Sequence, residues 1–525
     1  MLITNIYIAA FCFLLAAGFC FRKNHESSTS VVTDVCFCAA TALAASTFFS
    51  LFPLTKTYTY TDSSVFLYIG KMMQQGLVPY RDLFDHKGIL LYLIQYAGLQ
   101  ICPDGFFGVW ILEVVHMFAT VWFLFKLSGL FTEDKMIRYL SVIAVAVMCG
   151  MNTYEGGNFT EEYALPWIAA ALYIFLKYFK TNSYRFVEIV FLGVGAAVIS
   201  LLRVNMVTVW IALMPLVIIQ MLFRKEFRDL FSCVGAFCAG VFAVYLPMLC
   251  YLLITGCFQD FIDCYLVFNF AYSDGGIDVS DIFHALTEGV KNLSWAFAAG
   301  LIAVIPYRKK KLFWLNVWSL LVTLYFSHMS GRFYQHYGMI LLPMLVPFMT
   351  GAIEVIYGVL SWGEKFQFHL KFPKNWIMTG GFFAAAFAAF FLQYKWANLI
   401  RETMMETGGV RQLTECLLEK TSPEDDVLIV GNDAKYYLLA DRTTKNKYFY
   451  QTPPIKISDA LYEDFMKEVE EKPSDCIVIF GNKEKCLERE DHLGQVYRYF
   501  EDGFQKGEYQ CEIYENFYTY LRNED

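Results

Sequence analysis

The order of apolar and polar residues divides this chain in two. Over 1–394, apolar runs recur at 2–21, 32–54, 106–128, 137–151, 163–180, 186–202, 204–223, 229–254, 294–307, 312–327, 337–359 and 376–394. A helix needs about 20 such residues to cross a bilayer core, so the pattern predicts a bundle of about twelve spans. Longer polar interruptions fall at 55–105, 152–162, 255–293 and 328–336. From 395 the pattern changes. Residues 411–420 read as a helix, 427–431 as a buried strand and 448–450 as another strand. A helix over 461–472, before Pro473, then precedes a second buried strand over 476–481 and an edge strand over 510–514. Alternation of this kind predicts a small α/β unit. The expected fold is therefore mainly α, a polytopic membrane bundle over 1–394 followed by a C-terminal α/β domain over 395–525.

Composition and charge sharpen this picture. A chain of 525 residues that is 57% hydrophobic and 18% charged is too apolar for a water-soluble protein. The body carries 23 acidic and 25 basic residues, the tail 27 and 17, so a near-neutral body bears an acidic, soluble tail. No nucleic-acid partner is expected. If Arg22 and Lys23 face the cytoplasm, the alternate loops collect 18 of the 25 cations of the body: Arg22, Lys23, Lys126, Lys135, Arg138, Lys177, Lys180, Arg185, Arg224, Lys225, Arg228, Arg308, Lys309, Lys310, Lys311, Lys365, Lys371 and Lys374. The positive-inside rule then places the N-terminus, the long polar loops and the tail on the outer face. Run 2–21 has no preceding cation and no small-residue cleavage site, and reads as a retained helix. Most of the fifteen cysteines lie in spans, and the remainder show no regular spacing.

Seven cations defy the bias: Lys56, Lys71, Arg81, Lys87, Arg203, Lys291 and Arg332. Arg203 interrupts two apolar runs with almost no loop around it, and a cation at that depth marks a functional site. Arg332 stands in a similar place, ahead of His336 and Tyr337. Two guanidinium forks at span ends suit a phosphate or diphosphate. Acids gather in the first outer loop. Asp62 heads an amphipathic stretch in which Val65, Phe66, Ile69, Met72 and Met73 form the apolar face of a short helix lying on the membrane. It is either the cap of that helix or a base for an acceptor hydroxyl. Asp82 and Asp85 either face the same cavity or pair with Arg81 and Lys87. His86 and His336 are the histidines best placed for proton or metal work. A divalent cation is a candidate cofactor, with Asp62, Asp85 and His336 as its candidate ligands, although no metal-ligand spacing occurs. Glu155, Glu161 and Glu162 head the span 163–180, as dipole partners or on the acceptor side of a site. No phosphate-binding loop, dinucleotide fingerprint or Ser-His-Asp arrangement is present, so energy for outer-face chemistry must arrive in a lipid-linked substrate. A lipid or polysaccharide transporter or flippase is the alternative, although the internal repeats of many transporters are absent.

Asp62 after a span, Pro79-Tyr80-Arg81-Asp82 with Asp85-His86-Lys87-Gly88, Arg203, and Gly331-Arg332 with His336-Tyr337 and Pro343 together resemble the GT-C glycosyltransferases. The most similar group is the bacterial protein-mannosyltransferase-like and aminoarabinose-transferase-like proteins of glycosyltransferase family 39. The resemblance covers roughly 30–400, and the tail resembles the small periplasmic domain of such proteins. It implies a multi-pass protein of a bacterial cell membrane that takes a sugar from a polyprenyl-phosphate donor. The acceptor would be a glycan, a lipid or a protein. Asp62 would be catalytic, with Arg81, Asp82, Asp85, His86, Lys87, Arg203, Arg332, His336 and Tyr337 binding substrate.

Overall fold

The computed structural model describes residues 27–53, 61–103, 105–273, 278–365, 409–452 and 454–523, with scattered helical positions in 8–18 and 380–391. The expected segments 2–21 and 376–394, and the domain boundary at 394, lie largely outside the described residues. Each of the other ten expected segments falls on a helix. The body runs through α1 (Ser27–Ser46), α2 (Thr61–Gln74), α3 (Ile89–Ile101), α4 (Phe107–Ser128), α5 (Lys135–Asn152), α6 (Thr160–Thr181), α7 (Phe186–Ser200), α8 (Thr208–Phe223), α9 (Phe227–Ile254), α10 (258–273), α11 (Val279–Asn292), α12 (Ser294–Tyr307), α13 (Lys311–His328) and α14 (Leu342–Lys365). By length and composition, α4, α5, α9 and the stretch Gln335–Val359 can each cross a membrane alone, and α11 with α12 would make a fifth span bent by 77°. Helices α3, α7 and α8 are apolar but shorter. The expected count of about twelve is thus a count of apolar helical segments, several of them too short to span unaided.

Small residues set the closest helix approaches. A Cβ on Gly193 of α7 would lie 2.1 Å from the Phe237 carbonyl of α9, and one on Gly240 would lie 2.1 Å from the Val190 carbonyl. Backbone contact of this kind replaces the hydrophobic drive that lipid removes. At one end of the bundle the basic loops cap carbonyls and acids. Lys180 Nζ donates to Leu130 O and Lys310 Nζ to Phe131 O, each at 2.9 Å, and Lys135 pairs with Asp34 at 3.1 Å.

Two expectations about loop 55–105 are corrected. It contains an unforeseen apolar helix, α3, and α2 does not lie on the membrane. Val65, Phe66, Ile69 and Met72 are buried as expected, but so are Ser63, Ser64, Leu67 and Tyr68 on the other faces. One side of α2 packs on α3. The other is covered by the C-terminal domain, where Tyr68 meets the rings of Tyr437 at 5.0 Å and Phe449 at 4.7 Å.

That domain is a four-stranded sheet in the order β1-β2-β4-β3, with β1 (Val427–Val430) parallel to β2 (Cys476–Phe480) and β3 (Tyr509–Ile513) and β4 (Phe517–Arg522) antiparallel. Helices α15 (Val410–Lys420), α16 (Lys435–Ala440), α17 (Asp459–Glu471) and α18 (His492–Lys506) accompany it. Residues 448–450 are not a strand. Tyr448, Phe449 and Tyr450 are all buried but pair with no strand of the sheet. They meet, in turn, Phe84, Tyr68 and Asp85 of the membrane body.

Candidate functional site

Asp62 lies in the first turn of α2, half-buried, just ahead of two anchored serines. Ser63 Oγ accepts from Asn158 Nδ2 at 2.8 Å. Ser64 Oγ donates to Asp433 Oδ1 at 3.0 Å and accepts from Ala434 N at 3.2 Å. The carboxylate is therefore aimed by a helix tied on one side to the membrane body and on the other to the C-terminal domain. Its charge acts on His86, Tyr334 and Tyr450.

Loop 76–88 supplies the next groups. Tyr80 takes a left-handed φ of 70°, buried, with its hydroxyl on Lys87 O at 2.7 Å. Such a backbone costs on the order of 1 kcal/mol and is kept where its surroundings dictate it. Asp85 is buried and accepts from His86 N at 2.7 Å, Tyr450 OH at 2.6 Å and Tyr92 OH at 2.7 Å. Burial opposes its ionisation, yet those donors and the nearby His86 and Lys87 hold the carboxyl well below the usual range. His86 is pushed the other way: burial first, then the Lys87 ammonium, keep the imidazole neutral, against the pull of Asp85 and Asp62. Its Nε2 lies 2.9 Å from Lys87 Nζ, and its carbonyl accepts from Asn269 at 2.7 Å.

A second cluster forms where α6 begins. Residues 155–158 all have left-handed φ, at 49°, 93°, 79° and 61°, which turns the chain sharply into α6. Glu155 Oε2 meets His336 Nδ1 at 2.7 Å, and the imidazole stacks on Phe159 at 4.4 Å. Arg203 donates to Glu161 Oε1 at 2.5 Å and to Tyr337 OH at 2.9 Å. Tyr334 joins the two clusters. Its phenol feels Tyr337, Arg332, Asp62 and Lys87, and its ring stacks on His336 at 5.5 Å. Arg332 is exposed beside it.

Asp62, His86, Lys87, Arg332, His336, Tyr337, Arg203, Glu155 and Glu161 are thus brought to one region. Four expected site residues are engaged by partners within the protein. Arg81 and Asp82 neutralise each other through two hydrogen bonds at 2.9 and 2.8 Å, and Arg81 also donates to Thr255 O. Asp85 is filled by its three donors and anchors the loop from within. Glu162 turns inward, 1% exposed, against Glu113. Asp62, Asp85 and His336 do not gather as metal ligands: among the described residues no group of three His, Cys, Asp or Glu could hold an ion. Tyr450, Tyr92, Tyr334 and Asn269 were not foreseen. A tyrosine in an aromatic-rich chain carries no local signal, and Tyr450 lies 365 residues from Asp85.

Two solved structures share this architecture. They are ArnT from Cupriavidus metallidurans bound to undecaprenyl phosphate (TM-score 0.62) and the same protein in the apo state (0.59), each 9% identical and covering 94% of this chain and 98% of theirs. The Archaeoglobus fulgidus oligosaccharyltransferase complex with zinc and sulfate reaches a TM-score of only 0.43 at 12% identity, covering 85% of this chain and 67% of that one. At these identities the likeness establishes the fold alone, one shared with ArnT over nearly the whole of both chains. No curated protein matches the chain. A family model does, over residues 22–358, described as "Putative competence-induced protein Ccs4 N-terminal domain". With nearly two thirds of its length matched, the chain belongs to the Ccs4 family.

Proposed function

We propose that this protein is an integral-membrane glycosyltransferase that moves a sugar from a polyprenyl-phosphate donor to a glycan, lipid or protein acceptor outside the cell. The observation that carries the reading is the convergence of Asp62, His86, Lys87 and Arg332 around Tyr334, in a fold shared with a protein crystallised on undecaprenyl phosphate. The N-terminus and the C-terminal domain would lie on the outer face, since the basic loops share the opposite end of the bundle.

In the proposed reaction the acceptor oxygen attacks the anomeric carbon as the bond from that carbon to the donor phosphate oxygen breaks, inverting the centre. The acceptor proton passes to Asp62, and the lipid phosphate leaves as the anion. Lys87 and Arg332 stabilise the charge that develops on it, an effect strongest where water is excluded. Arg203 is already matched by Glu161, so it contributes one edge of its fork and orients Tyr337.

The test is mass spectrometry of envelope glycans and glycolipids from a deletion strain complemented with wild type or Asp62→Asn. Loss of one sugar in the deletion, restored by wild type alone, is the expected result. Restoration by Asp62→Asn at equal protein level would rule out the base assignment, and an unchanged profile in every strain would rule out the transferase reading.

A further inference from the structure

Behind the site, three helices bring together acids that the proposed reaction does not use. Glu113 of α4 and Glu162 of α6 are 0% and 1% exposed, and their carboxyls meet within hydrogen-bond reach of each other. Asn158 N donates to Glu162 Oε2 at 2.7 Å, and the backbone N–H groups of Phe159 and Asn158 also lie near Glu162 and Glu113 respectively. Glu113 Oε1, Glu113 Oε2 and Glu162 Oε1 have no partner.

Gln95 of α3, 0% exposed, adds an independent observation. Its Nε2 donates to Asn158 Oδ1 at 2.7 Å, on the residue whose backbone holds Glu162, and its Oε1 is unpartnered. Tyr163 lies between these groups. Its hydroxyl donates to Asn158 Oδ1 at 2.8 Å, is in reach of Gln95, and feels both carboxyls. The backbone is shaped to the cluster as well. A Cβ on Gly157 would stand 2.6 Å from Glu113 Oε1 and 2.8 Å from the Phe49 ring, so only glycine lets the chain pass so near the carboxylate.

Four buried acceptor atoms from three helices face a shortage of donors. One shared proton would satisfy a single O–H···O contact and leave the amide oxygen and a carboxyl oxygen orphaned, which is costly in a buried setting. A cation satisfies them together. Carboxylate and amide oxygens are the ligands of hard cations, and two carboxylates balance a double charge. We propose that Glu113, Glu162 and Gln95 form a buried site for a hard divalent cation of the magnesium or calcium class. It differs from the Asp62, Asp85 and His336 set, and it does not rest on the transferase reading. Such an ion would brace residues 155–162 and, through Asn158 and Ser63, the start of α2.

The experiment uses the full-length protein in detergent. Its content of Mg, Ca and Mn is measured by inductively coupled plasma mass spectrometry, and its unfolding temperature is followed with EDTA and then with Mg2+, Ca2+ or Mn2+ restored. About one ion per chain is expected, matching one two-carboxylate site, with a Tm that falls on chelation and recovers with one of the three ions. Glu113→Gln loses the ion and Asp62→Asn keeps it. Metal-free wild type whose Tm ignores EDTA and all three ions overturns the proposal in favour of a shared proton, and so does an ion retained by Glu113→Gln. Should Glu113→Gln fail to fold, Gln95→Met serves in its place, and recovery of its Tm should need a higher ion concentration. Recovery at the wild-type concentration counts against the site.

Discussion

At the scale of single residues, the site consists of groups whose partners outweigh their intrinsic chemistry. Arg203 looked like a free phosphate ligand because a lone cation near a span is costly. In the fold its charge is matched by Glu161, so Arg203→Ala strands a buried carboxylate. We expect a loss of about 3–5 kcal/mol in chemical unfolding of the detergent-solubilised protein. Tyr450→Phe removes one donor from the Asp85 carboxylate and should cost about 1.5–3 kcal/mol in the same assay. His86 sets a pH dependence. Its folded-state pKa lies below the ordinary 6.5 because burial, then Lys87, disfavour the imidazolium. The stability it permits is therefore complete above pH 6.5 and declines as the pH falls below that value. Asp85, held below its ordinary 3.8, adds stability that is lost only at more acid pH. A Tm series from about pH 8 to about pH 5 should be flat and then fall, and His86→Gln should remove the part of that fall near pH 6.

At the scale of elements, local pattern located almost every helix and misjudged the setting of some. Continuous apolar runs identified α4 to α9 within a few residues, because burial in lipid or in the bundle demands an apolar surface in either case. The same signal could not separate a helix lying on a membrane from α2, which is covered by protein on both sides. Helix α3 was overlooked because its apolar run, opened by Gly88 and interrupted by Gln95 and Gly98, is too short to span. Those residues are where tertiary contact occurs. Gly88 N donates to Leu202 O at 3.0 Å, and a Cβ at Gly88 would sit 2.0 Å from Leu201 O. Gly88→Ala must push the 201–203 turn away from loop 76–88, carrying Arg203 with it. We expect a loss of about 1–3 kcal/mol and faster hydrogen exchange confined to residues 76–90 and 200–206.

At the scale of the whole molecule, the C-terminal domain is a wall of the site as well as an appendage to the bundle. Asp433 holds Ser64, Lys447 O accepts from Phe84 N at 2.9 Å, and Tyr450 holds Asp85. Deleting residues 409–525 should therefore abolish the proposed sugar transfer while the bundle still inserts. Hydrogen exchange should rise in residues 61–90 and stay unchanged in α7 and α9. Intact protection of residues 61–90 after the deletion would mean that the bundle alone shapes this loop. From the sequence alone came the mainly helical membrane fold and the small C-terminal sheet unit, together with the expectation that basic loops gather at one end. Each of these follows from composition and short-range periodicity, which act residue by residue. Only the tertiary structure decided that Asp85 anchors the loop, that Arg81 and Asp82 cancel, that Glu162 faces Glu113, and that Tyr450 reaches the site. The energy of a charged group depends on the neighbours that replace its water, and those neighbours come from segments up to several hundred residues apart.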